Sequence, residues 1–164
     1  MDDWARVRVF GARPESEVCV IRPSAYGLIE NNDGHLAIVH TSLGGFLPGG
    51  GTEARETPEA AIVREALEEC GLVIRAELRP DRWLAQAIQF VYSESEKTHF
   101  EKRSTFIQCF IKETRAAVTP TSLEVDHLLV WVSPQRATQV LSSESHCWAV
   151  EQWRSRAAHR LKGW

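Results

Sequence analysis

The sequence predicts a mixed α/β (α+β) protein in which helices flank a single mixed sheet. Segments typical of strands alternate irregularly with segments typical of helices, and turn residues join some strands directly. This order favours a mixed sheet over a doubly wound parallel sheet. The chain has 164 residues, of which 43% are hydrophobic and 25% are charged. Its length and composition predict one globular domain over residues 1–164.

The first third of the chain contains four segments rich in aliphatic residues, which predict short strands at 6–10, 18–21, 24–30 and 35–41. The sequence Asn-Asn-Asp-Gly at 31–34 supplies residues that tolerate positive φ and predicts a hairpin turn. Residues 44–51, called the glycine segment below, contain five glycines and one proline. We therefore predict that the glycine segment forms no regular element.

The clearest helix follows the glycine segment. Thr57 is a favourable N-cap residue, Pro58 suits the first helical position, and Gly71 suits the end of a helix. In the second half of the chain, the sequence predicts strands at 83–92, 105–112 and 127–132, with a polar loop at 93–104 between the first two. It also predicts a short helix at 135–142, after Ser133-Pro134, and a C-terminal helix at about 145–161.

Three carboxylates share one side of the predicted helix after Thr57. At 100° per residue, Glu65, Glu68 and Glu69 fall within an arc of about 100°. We predict that the opposite side of the helix packs on the sheet. This predicted packing face consists of Ala60, Val63, Ala66, Leu67 and Cys70. Two interpretations are open at this point: a solvated acidic face, or oxygen ligands for a hard cation such as Mg²⁺ or Mn²⁺. The glycines upstream favour the second, because they leave backbone groups accessible to a phosphate and its metal.

Residues 50–72 carry a longer pattern that includes these carboxylates. Gly50 is followed by five residues, Glu56, seven residues and then Arg-Glu-Ala-Leu-Glu-Glu-Cys-Gly-Leu at 64–72. The pattern resembles the Nudix box, Gx5Ex7REUxEExGU with U aliphatic, and every fixed position is met. Only alanine at residue 66 departs from the larger aliphatic residue that is usual there. The resemblance is to MutT-like Nudix hydrolases and implies an α/β/α sandwich around a mixed sheet.

The resemblance also implies a reaction and its residues. Nudix hydrolases use Mg²⁺ or Mn²⁺ to cleave a nucleoside diphosphate linked to another group, X, by attack of water on phosphorus. By similarity, Glu65, Glu68 and Glu69 hold metal, with the Gly50 carbonyl as a further ligand. Arg64 and Glu56 pair to orient the loop and the helix. The alternative is a nucleotide-binding or regulatory Nudix domain without turnover, for which the loss of one of these residues is expected.

The general base is left open by the sequence. In some family members it corresponds to Glu65, and in others it is a carboxylate outside the box. The candidates outside the box are Glu94, Glu96, Glu101, Glu124 and Asp126, of which we favour Glu124 and Glu101 as an additional base or ligand. Each of them also fits an ordinary solvated surface acid.

The substrate is predicted by default as a free nucleoside triphosphate, oxidised forms included, or a related nucleotide. The proline that often marks ADP-ribose enzymes is absent, since residue 88 is isoleucine, and the tyrosine expected of dinucleoside polyphosphate hydrolases is also missing. Four aromatic residues are candidates for stacking on a base, namely Phe90 and Tyr92 first, with Tyr26 and Phe100. Three cations, Lys97, Lys102 and Arg103, fit either phosphate binding or a solvated loop.

The composition of the chain limits the kinds of partner that we expect for the protein. The formal net charge is −3 and the pI about 6.1, which argues against DNA binding. No apolar run approaches the ~20 residues of a membrane-spanning helix, and no signal core follows the acidic N-terminus. The four separated cysteines and six histidines show no metal-binding spacing, and we assign no histidine to catalysis. We expect a cytoplasmic monomer or homodimer with a small-molecule nucleotide substrate, no DNA and no membrane partner.

Overall fold

The computed structural model describes residues 7–76, 83–113 and 126–161. Within these ranges it contains nine strands and three helices. The strands are β1 Arg8–Phe10, β2 Cys19–Glu30, β3 Leu36–Thr41, β4 Gly44–Phe46, β5 Gly49–Gly51, β6 Val73–Ala76, β7 Trp83–Ser93, β8 Thr98–Glu113 and β9 Leu128–Val132. The helices are α1 Pro58–Cys70, α2 Pro134–Val140 and α3 Glu144–Leu161.

The strands form one mixed sheet, as the sequence predicts. Its main path runs β1-β7-β8-β2-β3-β4, while β5 pairs with β2, β6 with β8 and β9 with β3. The long central pair of β2 and β8 is parallel, and β7 with β8 is antiparallel. A parallel centre with antiparallel neighbours excludes a doubly wound sheet.

The helices cover both faces of the sheet and so form an α/β/α sandwich. Helix α1 packs on one face, where Ile62 joins a buried cluster with Ala25 of β2 and Ile107 of β8. Helices α2 and α3 pack on the other face, where Val150 and Trp153 join a second buried cluster. The predicted sandwich is therefore confirmed.

The ends of helix α1 follow the predicted capping pattern. The Thr57 hydroxyl accepts a hydrogen bond from the Ala60 amide at 3.2 Å, and Gly71 ends the helix with φ +66°. Gly71 tolerates this left-handed conformation because it has no Cβ. The C-terminal helix is also present, one residue longer at its start than predicted. Among the helices of the described ranges, none is long and apolar enough to cross a membrane.

Two predicted strands are one strand in the structure. Residues 18–21 and 24–30 belong to β2, which continues through Pro23. The Pro23 carbonyl accepts a hydrogen bond from the Thr52 amide at 3.0 Å, just beyond the end of β5. The amide hydrogen that proline lacks would point to the same side, where strand pairing has already ended, so Pro23 interrupts no ladder.

The predicted polar loop at 93–104 is wrong. Strand β7 continues to Ser93, a turn occupies 94–97, and β8 begins at Thr98. The residues of this segment are mostly polar, yet Phe100, Glu101 and Ser104 are buried within β8. Hydrogen-bonded pairing of β8 with both β7 and β2 outweighs the preference of these polar residues for a loop.

The prediction of no regular element in the glycine segment is also wrong, because β4 and β5 lie within it. Gly49 has φ +143°, and a Cβ there would collide with the backbone carbonyl of Ala25. Glycine therefore permits the close approach of β5 to β2 rather than preventing strand pairing.

Candidate active site

Helix α1 is rotated relative to the predicted packing face. Ala61, Ile62 and Ala66 are fully buried, whereas the exposed fractions of Val63 and Leu67 are 39% and 40%. A Cβ on Gly27 would lie 3.0 Å from Ile62 Cγ2, so this glycine lets α1 lie close to β2. The prediction that Val63 and Leu67 pack on the sheet is therefore wrong, because close packing selects the small side chains on the other flank of the helix.

This rotation brings two carboxylates against the glycine segment. The side chains of Glu65 and Glu69 are 17% and 14% exposed, while that of Glu68 is 49% exposed. A Cβ on Gly50 would lie 3.0 Å from Glu65 Oε1. The Gly49 amide donates a hydrogen bond to Glu69 Oε1 at 2.9 Å. The carboxylates therefore form the wall of a loop-and-helix site rather than a solvated acidic face.

Arg64 joins these parts through four acceptor residues. Its Nε and Nη2 donate to the two oxygens of Glu56 at 2.9 and 3.0 Å, and Nη2 also donates to the Gly51 carbonyl at 3.2 Å. Its Nη1 donates to Glu65 at 2.7 Å and to Glu68 at 3.2 Å. The predicted pairing of Arg64 with Glu56 is thus present, and it links β5, the segment before α1 and α1 itself.

The pKa values of two carboxyl groups beside Arg64, those of Glu56 and Glu65, shift in opposite directions. Hydrogen bonds from Arg64 lower the pKa of Glu56. Burial raises the pKa of Glu65, and the hydrogen bond and charge of Arg64 oppose that rise. Glu56 is thus held as a firmly ionised partner of Arg64, whereas the Glu65 carboxylate is the more basic of the two.

His127 is a site residue that the sequence analysis missed. Its Nδ1 lies 3.2 Å from Glu69 Oε2, so the two oxygens of Glu69 face the Gly49 amide and this imidazole. His127 immediately precedes β9, and β9 reaches α1 through its pairing with β3. No spacing in the sequence relates His127 to Glu69, because the contact depends on the order of strands in the sheet.

The ligand atoms available at the site are of the chemical type that a hard divalent cation prefers. Glu65, Glu68, Glu69 and the Gly50 carbonyl all supply oxygen, which is the ligand type that Mg²⁺ and Mn²⁺ prefer. In the part of the chain that the structure describes, no three acidic, histidine or cysteine side chains converge as a formed metal site. The Arg64 guanidinium instead bridges Glu65 and Glu68.

The additional base candidates lie elsewhere or outside the described residues. Glu101 is buried and receives hydrogen-bond and ion-pair contacts from Arg103 Nε and Nη2 at 2.8 and 2.7 Å. It is in register with Ile21, four residues along β2 from the partner of Gly50, or about 13 Å. Glu124 lies outside the described residues.

The remaining acidic candidates are dispersed. Glu96 pairs with Arg22 at 3.3 Å, Glu94 lies in the turn after β7, and Asp126 is exposed before β9. None of the three has a contact with Glu65, Glu68 or Glu69 among the interactions of the described residues.

A cleft of about 600 Å³ borders the glycine segment on the face opposite α1. Its lining includes Gly50, Gly51, Tyr26, Phe100 and Lys102. Phe90 and Tyr92 do not line it, because alternation along β7 places them with Glu101 and His99 on the other face. Of the four aromatic candidates, the structure brings Tyr26 and Phe100 to the cleft.

His146 supports the cleft from α3. The imidazole Nδ1 accepts a hydrogen bond from the Leu47 amide at 3.1 Å, and its ring lies 4.2 Å from that of Tyr26. Burial lowers the pKa of His146 to about 3, so the imidazole is neutral and acts as an acceptor at physiological pH.

An α/β/α sandwich with the glycine segment against a helix of carboxylates agrees with the class that the motif at 50–72 predicts, the hydrolases of phosphorus-containing anhydrides. The chain matches the family model of the NUDIX domain over residues 20–153, and it belongs to the Nudix family. This membership confirms the predicted resemblance to the Nudix hydrolases. No curated protein matches the chain in sequence.

Solved structures share the fold at low sequence identity. The MutT protein from Methanosarcina mazei Go1 is 20% identical, with 85% of this chain and 96% of that chain covered and a TM-score of 0.60. A C. elegans Ap4A hydrolase is 14% identical, with coverages of 84% and 98% and a TM-score of 0.62. An ADP-ribose pyrophosphatase from Streptococcus suis 89-1591 is 17% identical, with coverages of 82% and 92% and a TM-score of 0.55.

Proposed function

We propose that this protein is a Mg²⁺- or Mn²⁺-dependent hydrolase that cleaves the pyrophosphate bond of a nucleoside diphosphate linked to X. The proposed substrate is a free nucleoside triphosphate, oxidised forms included, or a related nucleotide. The observation that supports it best is the closeness of Gly50 to Glu65: a Cβ on Gly50 would lie 3.0 Å from Glu65 Oε1, so the glycine segment lies directly against this largely buried carboxylate. We further propose a single domain that acts in the cytoplasm as a monomer or homodimer, without DNA or membrane partners.

The metal would be held by Glu65, Glu68, Glu69 and the Gly50 carbonyl. When bound, it supplies positive charge that neutralises the phosphates and lowers the pKa of a coordinated water. Arg64 bridges Glu65 and Glu68 at 2.7 and 3.2 Å and holds their side chains side by side. Glu56 and the Gly51 carbonyl in turn hold Arg64, so these residues position the ligands rather than react.

The proposed reaction is a hydrolysis. The oxygen of water adds to one phosphorus, the bridging P–O bond breaks, and its electron pair leaves with the second phosphate group. The water proton passes to a carboxylate, for which Glu65 is our candidate because its raised pKa makes it the better base. For a nucleoside triphosphate attacked at the α-phosphorus, the products are the monophosphate and pyrophosphate.

Relatives of the same fold support the substrate class. MutT, Ap4A hydrolase and ADP-ribose pyrophosphatase are the names of proteins with this architecture. The last two names each refer to a nucleotide in which phosphate groups join a nucleoside to a second moiety. The choice of a free triphosphate within that class rests on the sequence.

The decisive experiment measures phosphate and pyrophosphate release with Mg²⁺. The panel comprises nucleoside triphosphates, oxidised triphosphates, nucleotide sugars and dinucleoside polyphosphates, with Glu68→Gln as the inactive variant. Glu151→Gln, an exposed glutamate on α3, is the matched control. Turnover by the wild type and control that is abolished in Glu68→Gln supports the proposal and identifies X. Turnover that survives in Glu68→Gln contradicts the metal assignment.

Metal binding is measured separately from turnover. A ligand that binds only the folded state stabilises it by about 1.4 kcal/mol at ten times its dissociation constant. We expect millimolar Mn²⁺ to raise the melting temperature of the wild type and not that of Glu69→Gln. A rise without turnover on any substrate favours a nucleotide-binding Nudix domain, and no rise argues against the site.

A further inference from the structure

The cleft beside the glycine segment carries two cations on facing strands. Arg22 of β2 and Lys102 of β8 are direct partners in the parallel pairing, and both line the cleft together with Gly50 and Gly51. Neighbouring strands lie about 4.8 Å apart, so the two side chains leave the sheet side by side on one face. Two like charges in this arrangement repel each other.

Arg22 is partly compensated by its surroundings. Its guanidinium forms two contacts with Glu96, at 3.3 and 3.4 Å, and lies 4.3 Å from the centre of the Phe100 ring. These contacts hold the guanidinium over one wall of the cleft. They neutralise one of the two charges only, because Glu96 is a single carboxylate.

Lys102 has no such compensation. Within the part of the chain that the structure describes, its ammonium forms no hydrogen bond and no ion pair, although the side chain is half-buried. Burial lowers the pKa of Lys102, and the charge of Arg22 lowers it further, with Glu96 in opposition. A half-buried ammonium without an acceptor is costly, and an anion in the cleft would remove that cost.

The other two cations considered for phosphate binding lie elsewhere. Alternation along β8 places Arg103 on the α1 face, where it binds Glu101. Lys97 lies in the turn before β8, with φ +49°. Of the three, Lys102 alone lines the cleft that reaches Gly50 and Gly51. Along β2, its register position is three residues from that of Gly50, or about 10 Å.

On the basis of the proposed function, we propose that Lys102 and Arg22 bind the terminal phosphates of the substrate and so determine its class. The enzyme then prefers a substrate with a free polyphosphate end, such as a nucleoside triphosphate, to one whose diphosphate ends in an uncharged sugar. A terminal phosphate offers several anionic oxygens to the two cations, and a sugar offers none. Lys102 is thus a specificity-determining residue.

The kinetic test compares two substrates of the same nucleoside, a triphosphate and a nucleotide sugar. We expect Lys102→Met to lower kcat/KM for the triphosphate by about tenfold or more and to change that for the nucleotide sugar less than about twofold. Lys102→Arg should restore most of the loss, because it returns the charge. Lys112→Met, an exposed lysine on the same strand, is the matched control and should change neither value. An equal loss on both substrates, or no loss on the triphosphate, overturns the proposal.

A binding test keeps this proposal separate from the proposed hydrolysis. Inorganic tripolyphosphate is titrated into metal-free protein by calorimetry, so that neither a base nor turnover contributes. We expect Lys102→Met to weaken this binding about tenfold and Lys112→Met to leave it unchanged. If that result is found while every substrate stays intact, the proposed hydrolysis fails and the phosphate site stands. If Lys102→Met weakens binding of a nucleoside but not of tripolyphosphate, the cation contacts the base and the phosphate assignment is overturned.

Discussion

Two cations border the glycine segment from opposite faces of the sheet, and their surroundings differ. Arg64, on the α1 face, donates to three carboxylates and to the Gly51 carbonyl. Lys102, on the α3 face, lines the cleft at the same glycines and has no carboxylate partner among the described residues. A saturated cation stabilises the fold, whereas an uncompensated one remains available to a ligand. The same charge therefore has two functions, decided by the acceptors around it.

The side chains that accept hydrogen bonds from the backbone amides of the glycine segment show the same difference between the two faces. On the α1 face the Gly49 amide donates to the acidic side chain of Glu69, and on the α3 face the Leu47 amide donates to the uncharged His146. The α1 face thus holds the segment with acidic side chains and the α3 face holds it with a neutral ring. We expect substitutions and pH to affect the two faces differently.

The largest expected effect lies on the α1 face. Glu65→Gln and Glu69→Gln should each lower turnover by about 100-fold or more, because each removes a charge that holds the metal. Folding should be retained, since glutamine keeps the shape of glutamate and reduces repulsion within the carboxylate cluster. Turnover is measured as pyrophosphate release, with the melting temperature recorded for each variant. Wild-type turnover in either variant would remove that residue from the metal site.

Arg64→Met should give the largest loss of stability. It leaves Glu56 and Glu65 without their partner, and we expect a loss of about 2 kcal/mol or more in the free energy of unfolding. The measurement is urea denaturation. The double variant with Glu56→Gln should recover part of the loss, because the uncompensated carboxylate is then absent. Additive losses would show that the pair contributes no coupling.

His146 should make the α3 face sensitive to acid. Its pKa is lowered by burial to about 3, while that of the unfolded chain is near 6.5. Below pH 6.5 the unfolded state binds a proton that the folded state does not, so stability is present above this pH and is lost as pH falls. The slope is about 1.4 kcal/mol per pH unit between these two values.

Substitution of His146 tests whether this residue causes the expected dependence of stability on pH. His146→Gln retains an acceptor for the Leu47 amide and does not titrate, so its stability should fall less steeply between pH 6.5 and 5 than that of the wild type. His40→Gln, an exposed histidine on β3, is the control and should keep the wild-type slope. Parallel curves for wild type and His146→Gln would contradict the buried neutral assignment.

The smallest expected effect is the stability change of Lys102→Met. Because Lys102 has no acceptor to lose, we expect the free energy of unfolding to stay within about 1 kcal/mol of the wild type or to increase. Urea denaturation of Lys102→Met and Arg64→Met side by side compares how much each cation contributes to the free energy of unfolding. A loss as large as that of Arg64→Met would show that Lys102 has a structural partner.

Local sequence signals predicted helix α1 and the motif around it well. Thr57 and Gly71 act within a few residues of the positions they cap, so their effect does not depend on the rest of the fold. The predicted partners Arg64 and Glu56 are also close in the chain, and they pair in the structure. The roles of Glu65, Glu68 and Glu69 as metal ligands remain predictions.

Contacts between distant segments account for what the sequence did not predict. The exposure of Val63 and Leu67, the proximity of His127 to Glu69 and the presence of β4 and β5 all depend on how elements meet across the sheet. Helical periodicity identifies an acidic side of α1, but it does not specify which flank of the helix faces β2. That choice follows from the space left by Gly27.

The sequence by itself determined the family, the capped helix and the residue types of the candidate active site, because these are encoded in short, contiguous patterns. The tertiary structure alone decided which side chains meet the glycine segment. Lys102 and Arg103 are neighbours in the chain, yet strand alternation sends one to the cleft and the other to Glu101. A side chain's function there depends on the face it occupies, and the face is set by strand register, which is a property of the whole sheet.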